Sequence, residues 1–150
     1  MPTFNSFRTG LLACTALLAF NCGFAFAQMA LKSPQQVTKS LGTFSRVVLH
    51  TQILINAKNY VRLPHENGEV KEGTEALENA IASEPAAFRA KVEPLIKAAD
   101  ADSQSIADAA VAHDDAKLAT AHAAYANSVK LLLAAFPASV QPPPPAPPKN

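Results

Sequence analysis

Histidine and carboxylate are the side chains on which this chain could build chemistry. Its four histidines are His50, His65, His113 and His122, and its two cysteines, Cys14 and Cys22, both lie near the N-terminus. His122 is the most suggestive. Helical spacing puts it between Leu118 and Tyr125 on an apolar seam, where a neutral imidazole must find a hydrogen-bond partner. It reads either as a structural histidine or as a ligand to metal or haem. His113 falls at a predicted helix end beside Asp114 and Asp115, where a positive imidazole suits the helix dipole. Because His113 and His122 flank a tight connection, they are the candidate metal ligands, with the two aspartates available to complete an oxygen and nitrogen site. No compact motif such as HExxH supports that site. His50 shares a face with Val47, Leu54 and Val61 and reads as a core-edge residue. His65, in Pro64-His65-Glu66-Asn67-Gly68, reads as exposed, with Glu66 beside it as the partner in a weak, adventitious metal site at most.

The carboxylates show no catalytic pairing. Glu69, Glu72, Glu75 and Glu78 recur every three residues, which drifts slowly around a helix and makes a solvated face. Serine, histidine and aspartate all occur, but no nucleophile elbow positions them, and there is no glycine-rich phosphate loop. No catalytic residue is assigned, the expectation is a protein that is not an enzyme, and no cofactor is called for.

The compartment is read from Leu11 to Gln28, LLACTALLAFNCGFAFAQ. A short polar leader with one positive charge, Arg8, precedes this run, and it closes on Ala25-Phe26-Ala27, with small side chains where signal peptidase reads. Residues 1–27 are therefore predicted to be a signal peptide cut after Ala27, which sends the protein to the periplasm or outside the cell. A spanning helix needs about 20 uninterrupted apolar residues, and Thr15, Asn21, Cys22 and Gly23 interrupt this one. Lipidation fits poorly, because Asn21 precedes Cys22 and little apolar chain precedes Cys14. Removing 27 of 150 residues leaves 123, with neither cysteine. A disulfide, a thiolate metal site and covalent haem are then excluded. Losing Arg8 from 13 basic residues leaves 12 against 12 acidic ones. That balance gives no reason to expect nucleic acid as a partner or stable membrane insertion after cleavage. The partner is an unknown protein or small molecule.

The elements that must position these residues read as helices. Ser33-Pro34-Gln35-Gln36 is a helix start, and Val37, Leu41, Phe44, Val48 and Ile55 follow at steps of three, four or seven. The spacing predicts a first helix over about 34–61; Val47 to Ile55 alone could be a strand, but its flanks are helical. Leu63-Pro64-His65-Glu66-Asn67-Gly68, with Gly73 beyond it, reads as a loop. A short second helix fits Thr74 to Ala82, with a possible start near Glu69. Phe88, Val92, Ile96, Ala99, Ile106 and Ala110 predict a third helix over about 85–112, interrupted near Glu93 by Pro94. Leu118, His122, Tyr125, Val129, Leu132 and Phe136 keep an unbroken seam in the last helix, which an Asp before it can cap. The expected architecture is all-α, an up-and-down four-helix bundle over residues 28–136. A disordered, extended proline-rich tail is predicted over 137–150, either solvated or a docking segment.

An export signal, four helices and a seam histidine in an alanine-rich last helix resemble the periplasmic bundle cytochromes of the b562 and c-prime type. That resemblance implies a four-helix fold and a haem between helices. The c-prime attachment motif is missing, since Val129 to Phe136 holds no cysteine. The b562-type methionine pairing fails by position: Met29 precedes the first helix, and with antiparallel helices it lies roughly 20 Å from His122. Likeness of fold does not transfer function. The leading expectation is a non-enzymatic, exported bundle with a binding or structural role, its core built on Phe44, Val48, Phe88, Leu118, Tyr125, Val129 and Leu132. The alternative is a metal- or non-covalent haem-binding bundle using His122 with His113 or His50.

Overall fold

A computed structural model describes residues 30–144, and the predicted signal peptide and residues 145–150 lie outside it. Helices α1 (Pro34–Asn56), α2 (Leu63–Ile81), α3 (Ala86–Val111) and α4 (Asp115–Ala134) form an up-and-down four-helix bundle. Each helix packs on the next and α4 returns to α1, while the backbones of the diagonal pairs stay further apart. Two short 3-10 turns, Tyr60–Arg62 and Ala138–Val140, complete the regular structure.

The core is the one the apolar spacing predicts, with small shifts. Phe44, Phe88, Leu118, Tyr125, Val129 and Leu132 are buried, and Phe88 meets Phe136 edge to face. Val48 is only partly buried; the stripe of α1 turns so that Val47 and Thr51 face inward instead. Thr51 satisfies its buried hydroxyl by donating to the carbonyls of Val47 and Val48, a local bond that leaves no orphan donor.

Three boundaries differ from expectation. First, α1 ends at Asn56, five residues before the expected 61. Lys58 takes a left-handed conformation (φ 50°), its N–H bonds the carbonyl of Ile55, and that of Asn59 bonds Leu54, the helix-ending arrangement usually built on glycine. Val61 is consequently exposed in the following turn.

Second, the expected loop at 63–73 is helix, and α2 has 19 residues rather than being short. Pro64 sits in the first turn, where its missing N–H costs no intrahelical bond. Gly68 faces open space, whereas Gly73 lies at a close approach of two helices. A Cβ there would lie 3.3 Å from Thr43 Cγ2, so glycine lets α1 and α2 approach closely. Asn67 points inward, accepting from Ser103 Oγ (3.0 Å) and donating to Gln104 Oε1 (2.9 Å) on α3. A turn-forming composition is thus used as a packing face.

Third, α3 runs through Pro94 without interruption. Pro94 is exposed, so the carbonyl it leaves without a helical partner has water within reach.

The segment from 137 is not detached where it is described. Pro137 and Val140 are buried, Thr38 Oγ1 donates to the Val140 carbonyl (3.1 Å), and Gln141 Nε2 donates to Leu133 (2.6 Å) and Phe136 (3.1 Å). Gln141 has the extended geometry predicted for it (φ −64°, ψ 132°).

Candidate functional site

The histidines are placed by different elements and have separate partners. His122 is partly buried on α4, and its Nε2 lies 3.0 Å from the Val48 carbonyl of α1. A carbonyl can only accept, so Nε2 carries the proton and Nδ1 alone retains a lone pair. One turn along the same seam, Tyr125 Oη donates to the Phe44 carbonyl (3.3 Å). Burial pushes the Tyr125 phenol far above its ordinary value, and the nearby Glu66 carboxylate pushes it further in the same direction.

His113 is exposed and left-handed (φ 52°); it ends α3 just as Lys58 ends α1, its N–H bonding Ala110 and that of Asp114 bonding Ala109. Its ring packs edge to face on Tyr60, centroids 4.9 Å apart. Asp114 caps α4 by accepting from the Lys117 N–H (3.0 Å), and that bond holds its carboxyl below the usual range. Asp115 accepts from Tyr60 Oη and pairs with Lys58 Nζ at 3.3 Å, bonds that lower its own carboxyl and raise both partners. Both aspartates beside His113 are therefore engaged in tying turns together. Among the described residues, no group of three or more histidines, cysteines, aspartates or glutamates is arranged to hold a metal ion.

Glu66 is one of several buried polar groups with an atom that lacks a hydrogen-bond partner among the described residues. It lies in α2 with its side chain 5% exposed, facing His50 of α1, whose Nδ1 stands 3.5 Å from Glu66 Oε2. That separation is beyond a good hydrogen bond, and Oε2 has no hydrogen-bond partner among the described residues. Leaving a buried carboxylate oxygen unpaired is costly unless something else meets it. Glu66 and His50 line a recess of about 220 Å³ together with Ile53, Leu54 and Arg62. The recess thus combines a carboxylate, an imidazole, a guanidinium and two aliphatic side chains.

Sequence reasoning placed His50 at the core's edge, where it is, and His65 in solvent, where it is, 4.0 Å from Glu69. Glu72, Glu75 and Glu78 are solvated, while Glu69 turns toward Arg46 at 2.8 Å. It named Glu66 only as the neighbour of His65 in a loop and did not single out Arg62. The available signal was spacing: Leu63, Glu66, Asn67, Val70, Gly73 and Leu77 recur at helical steps and all are buried.

No helix among the described residues is long and apolar enough to cross a membrane. No family model, no curated protein and no solved structure matches this chain, so the likeness to the bundle cytochromes rests on architecture alone.

Proposed function

We propose that this is an exported helical-bundle protein whose role is binding rather than catalysis, and that the recess between α1 and α2 takes a small zwitterion with an apolar side group. The observation that carries this reading is that Glu66, a buried carboxylate with one oxygen lacking a hydrogen-bond partner, is among the residues lining that recess. An ammonium group would supply the missing donors. The guanidinium of Arg62 would favour a carboxylate at the other end of the same ligand, and Ile53 and Leu54 would take an aliphatic substituent. A non-enzymatic role is supported by His122 and Tyr125, whose donors are committed to α1 carbonyls. Export rests on the sequence of residues 1–27.

Leucine and its decarboxylated amine are suitable probes in a thermal-shift titration. Leucine is expected to raise the melting temperature of the parent and not of Glu66→Gln, with the simple amine weaker because Arg62 repels it. A melting temperature indifferent to both probes would overturn the ligand assignment. The same preparation, purified without chelator, distinguishes the rival reading. A stoichiometric metal or a Soret band that disappears in His122→Ala would establish a metal or haem bundle in its place.

A further inference from the structure

One oxygen of Glu66 has two claimants. The ammonium group of the proposed ligand is one, and His50, whose Nδ1 stands 3.5 Å away across the α1–α2 seam, is the other. At that distance the ring makes no good hydrogen bond, and Oε2 keeps no hydrogen-bond partner among the described residues. A protonated ring differs in kind. Both its nitrogens donate and it is positively charged, so it can give the buried carboxylate oxygen the charge-assisted bond that it lacks, at about 2.7–2.9 Å. Reaching that distance takes a shift of less than about 1 Å. The His50 side chain is 43% exposed against 5% for Glu66. Water can therefore protonate the ring, and the ring rather than the carboxylate has room to move.

The other charged and titratable groups around the pair come from every neighbouring element. Arg62 lines the recess from the turn before α2, and Arg46 of α1 is held by Glu69 of α2 at 2.8 Å. Both guanidinium groups stay charged at any pH the fold meets. From α4, Tyr125 feels the Glu66 carboxylate, and Asp100 of α3 acts on the same phenol, which burial keeps protonated. His122 of α4 is held at the Val48 carbonyl, and His65 of α2 is exposed beside Glu69. The segment after α4 meets α1 at Gly42, where a Cβ would come 3.6 Å from Pro142 Cβ. It brings prolines and no charged group to the groove that it shares with Lys39, Arg46 and His50. His50 is thus the titratable imidazole set against the unmet oxygen.

We propose, resting on the zwitterion assigned to this recess, that His50 is a proton-operated competitor for it: protonated, the ring turns onto Glu66 Oε2 and displaces the ligand's ammonium. Two cations held at one carboxylate within about 220 Å³ repel each other, so the recess loads when the imidazole is neutral and empties when it is charged. By linkage, ligand binding expels a proton from His50.

Calorimetric titration of the full chain with leucine at pH 8 and pH 5 spans the interval in which imidazoles change charge, while leucine stays a zwitterion. The parent is expected to bind at least about tenfold more weakly at pH 5, the loss produced when a tenth of the recesses stay competent. In His50→Gln the ratio of the two affinities is expected to fall close to one, whatever their absolute size, whereas His65→Gln keeps the parent's ratio. Circular dichroism checks that each variant is folded. In the ligand-free chain labelled with 15N-histidine, a His50 Nδ1–H protected from exchange at pH 5 and lost in Glu66→Gln is the direct sign of the acid contact. Its absence from the parent would overturn the proposal. Equal leucine affinity at the two pH values would overturn it too, and would leave the ligand assignment standing. A pH dependence that survives in His50→Gln would also overturn it, since another group would then be titrating. Leucine that binds at neither pH would overturn the ligand assignment and the competition with it.

Discussion

Tyr125 shows how one side chain serves both packing and polarity. Its ring fills the centre of the bundle, and its hydroxyl reaches the Phe44 carbonyl at 3.3 Å, a bond at the long end of the useful range. Phe44's carbonyl lies inside α1, so removing the hydroxyl does not strip it of a helical partner. Tyr125→Phe is therefore expected to cost about 0.5–1 kcal/mol, against roughly 3–5 kcal/mol for Tyr125→Ala. Urea unfolding followed by circular dichroism measures both, and a Phe variant as weak as the Ala variant would contradict this division. His122 sits one turn away with the same kind of bond to Val48. The seam was legible from Leu118 to Phe136 because its spacing is unbroken and His122 is its one residue outside the apolar and aromatic set. Glu66 was not, because the proline, asparagine and glycine around it make the segment read locally as a loop, in which a carboxylate is expected to face solvent.

At the scale of elements, the connections at one end of the bundle are fastened to each other. The α1–α2 connection brings Lys58 and Tyr60 to Asp115, the first residue of α4, and Asp114 caps that helix. Both carboxyls are held below their ordinary range. A depressed folded-state value means that the stabilisation is complete above the unfolded carboxylate range, near pH 4, and is lost as pH falls through the lowered folded-state values. The start of α4 is thus expected to loosen below about pH 4. Amide exchange at Ala116 and Lys117 in acid, compared with Asp114→Asn, measures this; unchanged protection down to pH 2 would count against it. The Asp cap was visible in sequence as two acids following a histidine. The end of α1 was not, since the left-handed residue there is lysine rather than glycine. The start of α2 was hidden for the opposite reason: proline, asparagine and glycine are read locally as a turn, while their use here depends on α1 and α3 lying alongside. Close approach at Gly73 and the inward bonds of Asn67 are properties of the assembled pair, not of the segment.

At the scale of the whole molecule, helix count and fold class follow from period and propensity, which local sequence carries well. The course of the chain after α4 does not, because composition alone makes a proline run look detached. Its contacts with Thr38 and Gly42 join positions about a hundred residues apart, and no local pattern announces them. The other end of the described chain is fixed in a similar way. Leu31 is buried, the backbone N–H of Lys32 donates to the buried Glu84 (2.7 Å), and Lys32 Nζ reaches the Ser83 carbonyl (2.6 Å). Among the described residues, the bundle's grip on its beginning starts at Leu31, four residues beyond the predicted cut after Ala27. A peptidase acting at Ala27 would remove none of the contacts described, so processing and folding are expected to be separable events. Precursor and processed protein are expected to melt at the same temperature, whereas Glu84→Ala should lower both equally. A precursor that melts differently would mean that the leader reaches into the fold it precedes.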